Sequence, residues 1–553
     1  MKSIHPIGIM TILNYRSFSF FQSMRLLIYL LMCIAIMLVS LPAYANEKII
    51  IYNQSDFDKL NESIIKFINN GASDIEIIIK GGVYFFNENH IRIDNISRPK
   101  CSITIRGENA RLIGKGEWTR RTNSFQYAYL DKEFRNSEHW SEMQQTVDTI
   151  EILNTQRGYC RLKVGHDFTH NAKVIQISQS YRARIYNIEK YENDYIYFTD
   201  KSLKWNRYYN CFSINMDFGF ANQNPFFRTF CNEKLLEEEY ECKTGSFFVC
   251  KKSEFNTIKI KDIIFCGNKR DYTLLYFENL KSKSILIKEC EFSAMKGTII
   301  EARKCNNLHI LNNNIHDCYT YCIKIGQGCM NTIIDNNSFV NLGLDRDYSH
   351  AVFCSGDSYF IRFNKFVNFT YGAIGVGVWH GHEKESIISG IVENNVIYNS
   401  RIFNMEYKKH TLMDGGAIYL YTIHDNVTIR SNLIFSYYGR HGYRSIFCDD
   451  ATMNAKIYNN VIVNDMNSYA IDLRYEHLIC AKIQEANKGN NIYGNIYSGL
   501  FKFQDDKGHF LLTNKPTKGL YVFQDKVYAN KELEKRIKTC LCNQIRNEFL
   551  RFY

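Results

Sequence analysis

Val427-Thr428-Ile429, Asn432-Leu433-Ile434 and Ser445-Ile446-Phe447-Cys448 are followed at once by Ala455-Lys456-Ile457, Asn460-Val461-Ile462 and Ala470-Ile471-Asp472-Leu473. The same phrase is spoken twice: a short strand, a turn with Asn and then apolar residues, and a second short strand. Such strands alternate in and out with a period of two and cannot bury a face alone. Stacked coils can, each about 4.8 Å from the next. A period of roughly two dozen residues is the mark of a solenoid.

The phrase extends N-terminally. The first strand type recurs as Ile258-Lys259-Ile260, Ile285-Leu286-Ile287, Leu308-His309-Ile310, Thr332-Ile333-Ile334, Tyr359-Phe360-Ile361 and Gly390-Ile391-Val392. The second recurs as Thr298-Ile299-Ile300, Cys322-Ile323-Lys324-Ile325, Ala351-Val352-Phe353-Cys354, Ala373-Ile374-Gly375-Val376 and Ala417-Ile418-Tyr419-Leu420. Asn recurs in the turns, at Asn314, Asn337, Asn395, Asn432 and Asn460. Asn tolerates left-handed backbone and can stack amide on amide between coils. A β-propeller is the competing repeat fold, but it needs about four strands per unit. The pattern predicts an all-β chain, a right-handed parallel β-helix.

Counting the repeat itself, five segments are expected. Residues 1–45 read as an export signal: Arg25, an apolar run from Leu26 to Leu41, then the cleavage site Ala43-Tyr44-Ala45. Residues 46–116 read as an N-terminal cap and first coils. There Ser55 is placed to cap a helix carrying Phe57, Leu60, Ile64, Ile65 and Phe67, stopped by Asn69-Asn70-Gly71. Residues 117–250 lack the repeat and read as an inserted, mostly β accessory region. Residues 251–510 hold the repeats. Residues 511–553 form a C-terminal cap, with Leu533, Ile537, Leu541, Ile545 and Phe549 at helical spacing over the far end.

Composition agrees with a large β-rich core: 45% hydrophobic residues, 38 Tyr and 38 Phe against only 5 Pro. The formal charge is +11; removing Lys2, Arg16 and Arg25 with the signal leaves 11 − 3 = +8. That suits an acidic glycan or an anionic surface. No compact Lys/Arg block points to nucleic acid. Of 18 Cys, Cys33 lies in the signal, so the remainder is odd. Export permits disulfides, yet Cys318, Cys322, Cys354 and Cys448 fall in apolar strands, where Cys serves as a small core residue. The expected product is a monomer, secreted, periplasmic or on the cell surface, without a lasting membrane span.

Aligning the second strand type sorts its side chains. Val352, Ile374, Ile418, Ile446 and Ile471 share an inward column, as do Cys354, Val376, Leu420, Cys448 and Leu473. Phe353, Tyr419, Phe447 and Asp472 then point outward, with Ser355, Tyr421, Asp449 and Arg474 beyond them. Asp449 is expected beside Tyr421 and Arg474. Asp414-Gly415-Gly416 leads into one coil, its glycines freeing the backbone and clearing space; Asp449-Asp450 ends the next. Two acids on neighbouring coils are the minimum for glycoside hydrolysis: one protonates the leaving oxygen, the other attacks the anomeric carbon or activates water. The same carboxylates could instead bind calcium or cap turns; no other cofactor is indicated. Trp379 could stack on a sugar ring. His350, His380, His441 and Arg444 lie near enough in the pattern to contact substrate, or serve as ordinary turn and loop residues. The His380/His382 pair alone is weak as a metal site.

These residues resemble the pectin-lyase-fold β-helix proteins of carbohydrate-degrading bacteria. The stretch Asp414-Gly415-Gly416-Ala417-Ile418-Tyr419, then Ser445-Ile446-Phe447-Cys448-Asp449-Asp450, is similar to the paired coils of a β-helix glycoside hydrolase family with fucosidase and xylanase members. The resemblance implies that Asp414 is one catalytic acid and Asp449 or Asp450 the other, acting on a polysaccharide or oligosaccharide. Ala451 stands where the family has Gly, and Phe447-Cys448 replace Tyr-Leu. Two other readings share the scaffold. A polysaccharide lyase would need a base such as Lys324, His350 or Arg474; a glycan-binding surface protein would need no chemistry.

Overall fold

A computed structural model describes residues 46–122, 150–154, 159–163, 174–179, 182–187, 189–193, 195–199, 203–206, 211–214, 226–230, 236–269, 272–343, 349–378, 388–399, 415–421, 426–436, 444–449, 452, 454–464, 469–473, 489–498, 500–504, 510–513, 518, 520–523 and 526–552. Successive coils pair in parallel, strand upon strand, as the repeat predicts. Ile285 lies on Leu308, Ile333 on Phe360, Val427 on Gly390 and Ile457 on Ile429. The chain is a parallel β-helix, and the twist of its strands favours the right-handed winding expected of parallel crossovers.

Each coil has three strands rather than two. The apolar residues after the Asn turn form a strand of their own: Ser338–Leu342, Lys365–Phe369, Val396–Tyr398, Leu433–Ser436 and Val461–Asn464 stack in sequence. Short strands and short turns left this third face unread. The interior is a continuous apolar cluster, with Ile287, Ile310, Ile334, Ile361, Ile429 and Ile457 among its members.

The Asn turns are a ladder. Asn313, Asn337, Asn364, Asn395, Asn432 and Asn460 are buried, and each offers its Nδ2 to the Oδ1 of the next, ending on Asn495. The backbone amide of each member donates to the same oxygen. The two uses of Asn foreseen from sequence are split between neighbours. The left-handed residue is the one before: Asn312, Asn336, Phe363, Asn394, Ser431 and Asn459, all with φ between 54° and 56°. Asn314, chosen by spacing, is exposed, and Asn313 takes the rung.

At the N-terminal end, helices Gln54–Asp58 and Leu60–Asn69 bury Phe57, Leu60, Ile64 and Ile68 against the first coils. Ile65 and Phe67 are only partly buried, and Asn53 rather than Ser55 is the cap, accepting from the amide of Asp56. Strand Gly116–Thr122 pairs antiparallel with Leu236–Cys242, and the described strands between them are also antiparallel. Phe248–Lys251 then rests on Ile91–Asp94 as the next coil.

The C-terminal segment forms two helices, Lys531–Cys540 and Asn543–Phe552. They cover a flank of the solenoid, not its end. Leu533, Ile537, Leu541, Ile545 and Phe549 pack on Val396, Leu433, Phe435, Val461, Val463 and Ile496. The outward column of the third face changes there from Ser338 and Lys365 to Val396, Leu433, Val461 and Ile496, so this stretch needs a cover. Among the described residues no helix is long and apolar enough to cross a membrane.

Candidate functional site

The second strand type stacks in the register read from sequence. Val352, Ile374, Ile418, Ile446 and Ile471 form one column, and Phe353, Gly375, Tyr419, Phe447 and Asp472 the next. One local feature escapes a strict two-residue period. Ala351 and Val352 are consecutive and both lie in the core, as are Ala373-Ile374, Ala417-Ile418 and Ala470-Ile471. The chain turns its face at this point, so the residue before each Ala, or before Ser445 in the equivalent place, points outward. That column is His350, Gly372, Gly416 and Arg444.

The outward residues converge. Tyr371, Tyr419, Tyr421 and Phe447 form a buried cluster with Phe353 at its edge. The Tyr419 and Tyr421 rings stack 4.1 Å apart, and His350 meets both edge-on at 5.5 and 5.6 Å. His350 Nε2 lies 2.8 Å from the Tyr421 hydroxyl. Reaching it means crossing the coil of Gly372 and Gly375. A Cβ at Gly372 would sit 2.2 Å from His350 Nδ1, and one at Gly375 2.5 Å from Cδ2. Glycine at both positions clears the lane that the imidazole fills.

Burial sets the protonation states. Desolvation holds the His350 imidazole down to about 3, so the ring is neutral. Desolvation, helped by Tyr371, Tyr321 and Asp449 nearby, pushes the Tyr421 phenol well up, so it keeps its proton. His350 Nδ1 is buried with no hydrogen-bond partner among the described residues.

Asp449 stands at the end of Arg444–Cys448, 6% exposed. Its amide donates to the Leu420 carbonyl at 3.0 Å, and its own carbonyl accepts from the Thr452 hydroxyl at 3.0 Å. The Tyr419 hydroxyl donates to its carboxylate. The expected neighbour Tyr421 is next to it in register but bonds His350 instead. Arg444 forms a buried ion pair with Asp472, and its guanidinium lies 4.0 Å over the Phe447 ring. Arg444 is thus tied to a carboxylate that the sequence reading had not singled out as its partner. Tyr371 was missed as well; a bulky aromatic just ahead of Gly372 was its only signal.

Asp414, Asp450, Trp379, His380, His441 and Arg474 lie outside the described residues. Gly416 opposes Arg444 and Leu420 opposes Cys448, so Gly416 and Asp449 are at opposite ends of the strand, about 16 Å apart along it. Gly415 has a packing role: a Cβ there would lie 2.6 Å from the Tyr371 carbonyl oxygen, so close approach of the coils, rather than cleared space, demands glycine. Among the described residues no group of three or more His, Cys, Asp or Glu could hold a metal ion.

No protein-family model matches the chain, and no curated protein does. Solved structures resemble it at low identity. One described as a glycoside hydrolase aligns with a TM-score of 0.45 at 10% identity, over 91% of this chain and 100% of that one. DFA-IIIase from Arthrobacter chlorophenolicus, in complex with DFA-III, gives 0.32 at 11%, over 84% of each chain. The tailspike of E. coli bacteriophage HK620, in complex with a pentasaccharide, gives 0.31 at 9%, over 81% and 77%. The fold is established by the strand pairing above, independently of these likenesses.

Proposed function

We propose that this chain is an exported carbohydrate-active enzyme that hydrolyses glycosidic bonds of a polysaccharide, with Asp449 as one of its two carboxylates. The observation that carries the reading is Asp449 itself. It is a carboxylate on the outer face of the solenoid, oriented by the Tyr419 hydroxyl at the edge of a stacked tyrosine floor. The rings themselves are buried, Tyr419 at 2% and Tyr421 at 5% exposure, so they serve the site by holding the carboxylate rather than by offering their faces to a sugar. A carboxylate set among them is positioned to give a proton to a leaving oxygen or to act on the anomeric carbon or its water. Asp414, which leads into the coil bearing Tyr419, is the proposed second carboxylate, with Asp450 the alternative to Asp449.

The test is a panel of neutral and acidic polysaccharides assayed for new reducing ends. Asp449→Asn and Asp414→Asn should each lower release at least 10²-fold. Wild-type rates in Asp449→Asn would end the proposal. A product absorbing in the ultraviolet would select the lyase, and binding without any product would select the surface protein. Export is tested separately: the protein recovered outside the cytoplasm should begin at Asn46.

A further inference from the structure

We propose that Cys305 and Cys329 form a disulfide that staples two successive coils of the solenoid. Both are buried in the core. Asn306 bridges Met330 in parallel, so the preceding residues, Cys305 and Cys329, lie one directly above the other on adjacent coils. Rungs of a parallel sheet are about 4.8 Å apart, inside the Cα separation of about 4.4–6.8 Å that a disulfide spans. The two are free thiols in the structure, and they are close: the Cys305 amide donates to Cys329 Sγ at 3.4 Å. Cys305 Sγ in turn donates to the Arg303 carbonyl at 3.2 Å.

The surroundings set the two thiols apart in the closed coil. The Cys329 thiol is held below its usual range by the Cys305 thiol and, against burial, by the amides of Cys305, Lys304 and Gly326. The same contact and burial push the Cys305 thiol up. Those contacts belong to the closed coil, so before closure either sulfur can react first. Where Cys329 leads, its thiolate attacks the disulfide of an export-compartment thiol oxidase, giving a mixed disulfide and releasing one oxidase thiolate. Cys305, losing its proton, then attacks the Cys329 sulfur and expels the second. Two protons and two electrons leave the pair, and the oxidase is reduced to its dithiol. The bond must form before the coils close, because neither sulfur is accessible afterwards. Cys318 and Cys322 are also buried free thiols, but they flank one turn and would join no coils.

The proposal rests on the export reading only for its oxidant. The test uses the full chain sent to an oxidising periplasm by its own leader, or by an appended leader if its own is not cut. The protein is denatured with iodoacetamide, then reduced and given a second label, and its peptides are mapped. Cys305 and Cys329 should carry only the second label, and the unreduced digest should contain their cross-linked peptides. Cys305→Ser should expose Cys329 to the first label, Cys329→Ser should expose Cys305, and each should lower Tm by several degrees. First label on both cysteines of the wild-type protein, or a cross-link from Cys329 to Cys354, overturns the proposal.

Discussion

One outward face of the solenoid has two different lives at two heights. On the earlier coils Tyr276, Glu301 and Lys324 occupy the column that Phe353, Tyr419, Phe447 and Asp472 occupy later. Each height carries an Arg–carboxylate pair. Arg303 meets Glu301 at 2.6 Å with its own side chain 52% exposed and that of Glu301 9% exposed, whereas Arg444 and Asp472 are 3% and 0% exposed. The strand geometry is the same, so the difference lies in what covers the face. Water reaches the guanidinium of the first pair and competes for it; the second pair has exchanged water on both sides for its partner and a phenyl ring.

The largest expected effect tests that contrast directly. Arg444→Ala leaves the Asp472 carboxylate without its guanidinium and should cost about 3–5 kcal/mol of stability. Arg444→Met combined with Asp472→Leu should recover most of the loss in a urea or thermal melt. Next is acid. The folded His350 imidazole titrates at about 3, against an ordinary value near 6.5. Between those values the unfolded chain binds a proton that the folded chain refuses, so stability should fall as pH drops through that window. The loss is on the order of 3 kcal/mol at pH 4, and His350→Gln should flatten it. His90, held down to about 4 by burial in the N-terminal cap, will keep part of the slope. A smaller effect, about 1–3 kcal/mol, is expected for Gly375→Ala, which drives a methyl into the His350 ring. The penalty should shrink in a His350→Ala background when the double-mutant cycle is closed. The smallest is Arg303→Ala, about 1 kcal/mol: water replaces its exposed guanidinium, while the largely buried Glu301 carboxylate keeps the Thr273 hydroxyl.

The scaffold was legible because two periods coincide, two residues along each strand and one coil between strands. Any residue whose place is fixed by both periods could be assigned, which is why the Ile418 and Tyr419 columns were aligned correctly. Residues placed by a break in the period could not. His350 and Arg444 face outward only because Ala351 and Ser445 begin a local turn of the strand, and simple parity puts them inside. Asp449 and Tyr421 were correctly set side by side, but a phenol reaches about as far as a whole coil, so register does not decide which hydroxyl meets which carboxylate. The C-terminal helices were foreseen, their resting place was not. The run Val461-Ile462-Val463 was the available signal, since a strand apolar on both faces has a second layer over it.

The asparagine ladder has a consequence for how such a chain changes length. Its rungs are separated by 24, 27, 31, 37, 28 and 35 residues, yet every rung makes the same amide contact. The rail dictates where the polypeptide must return and is indifferent to how far it strays in between. New material can therefore be spliced into any corner except this one, and a lineage can lengthen its loops, one circuit at a time, without renegotiating the axle on which they turn.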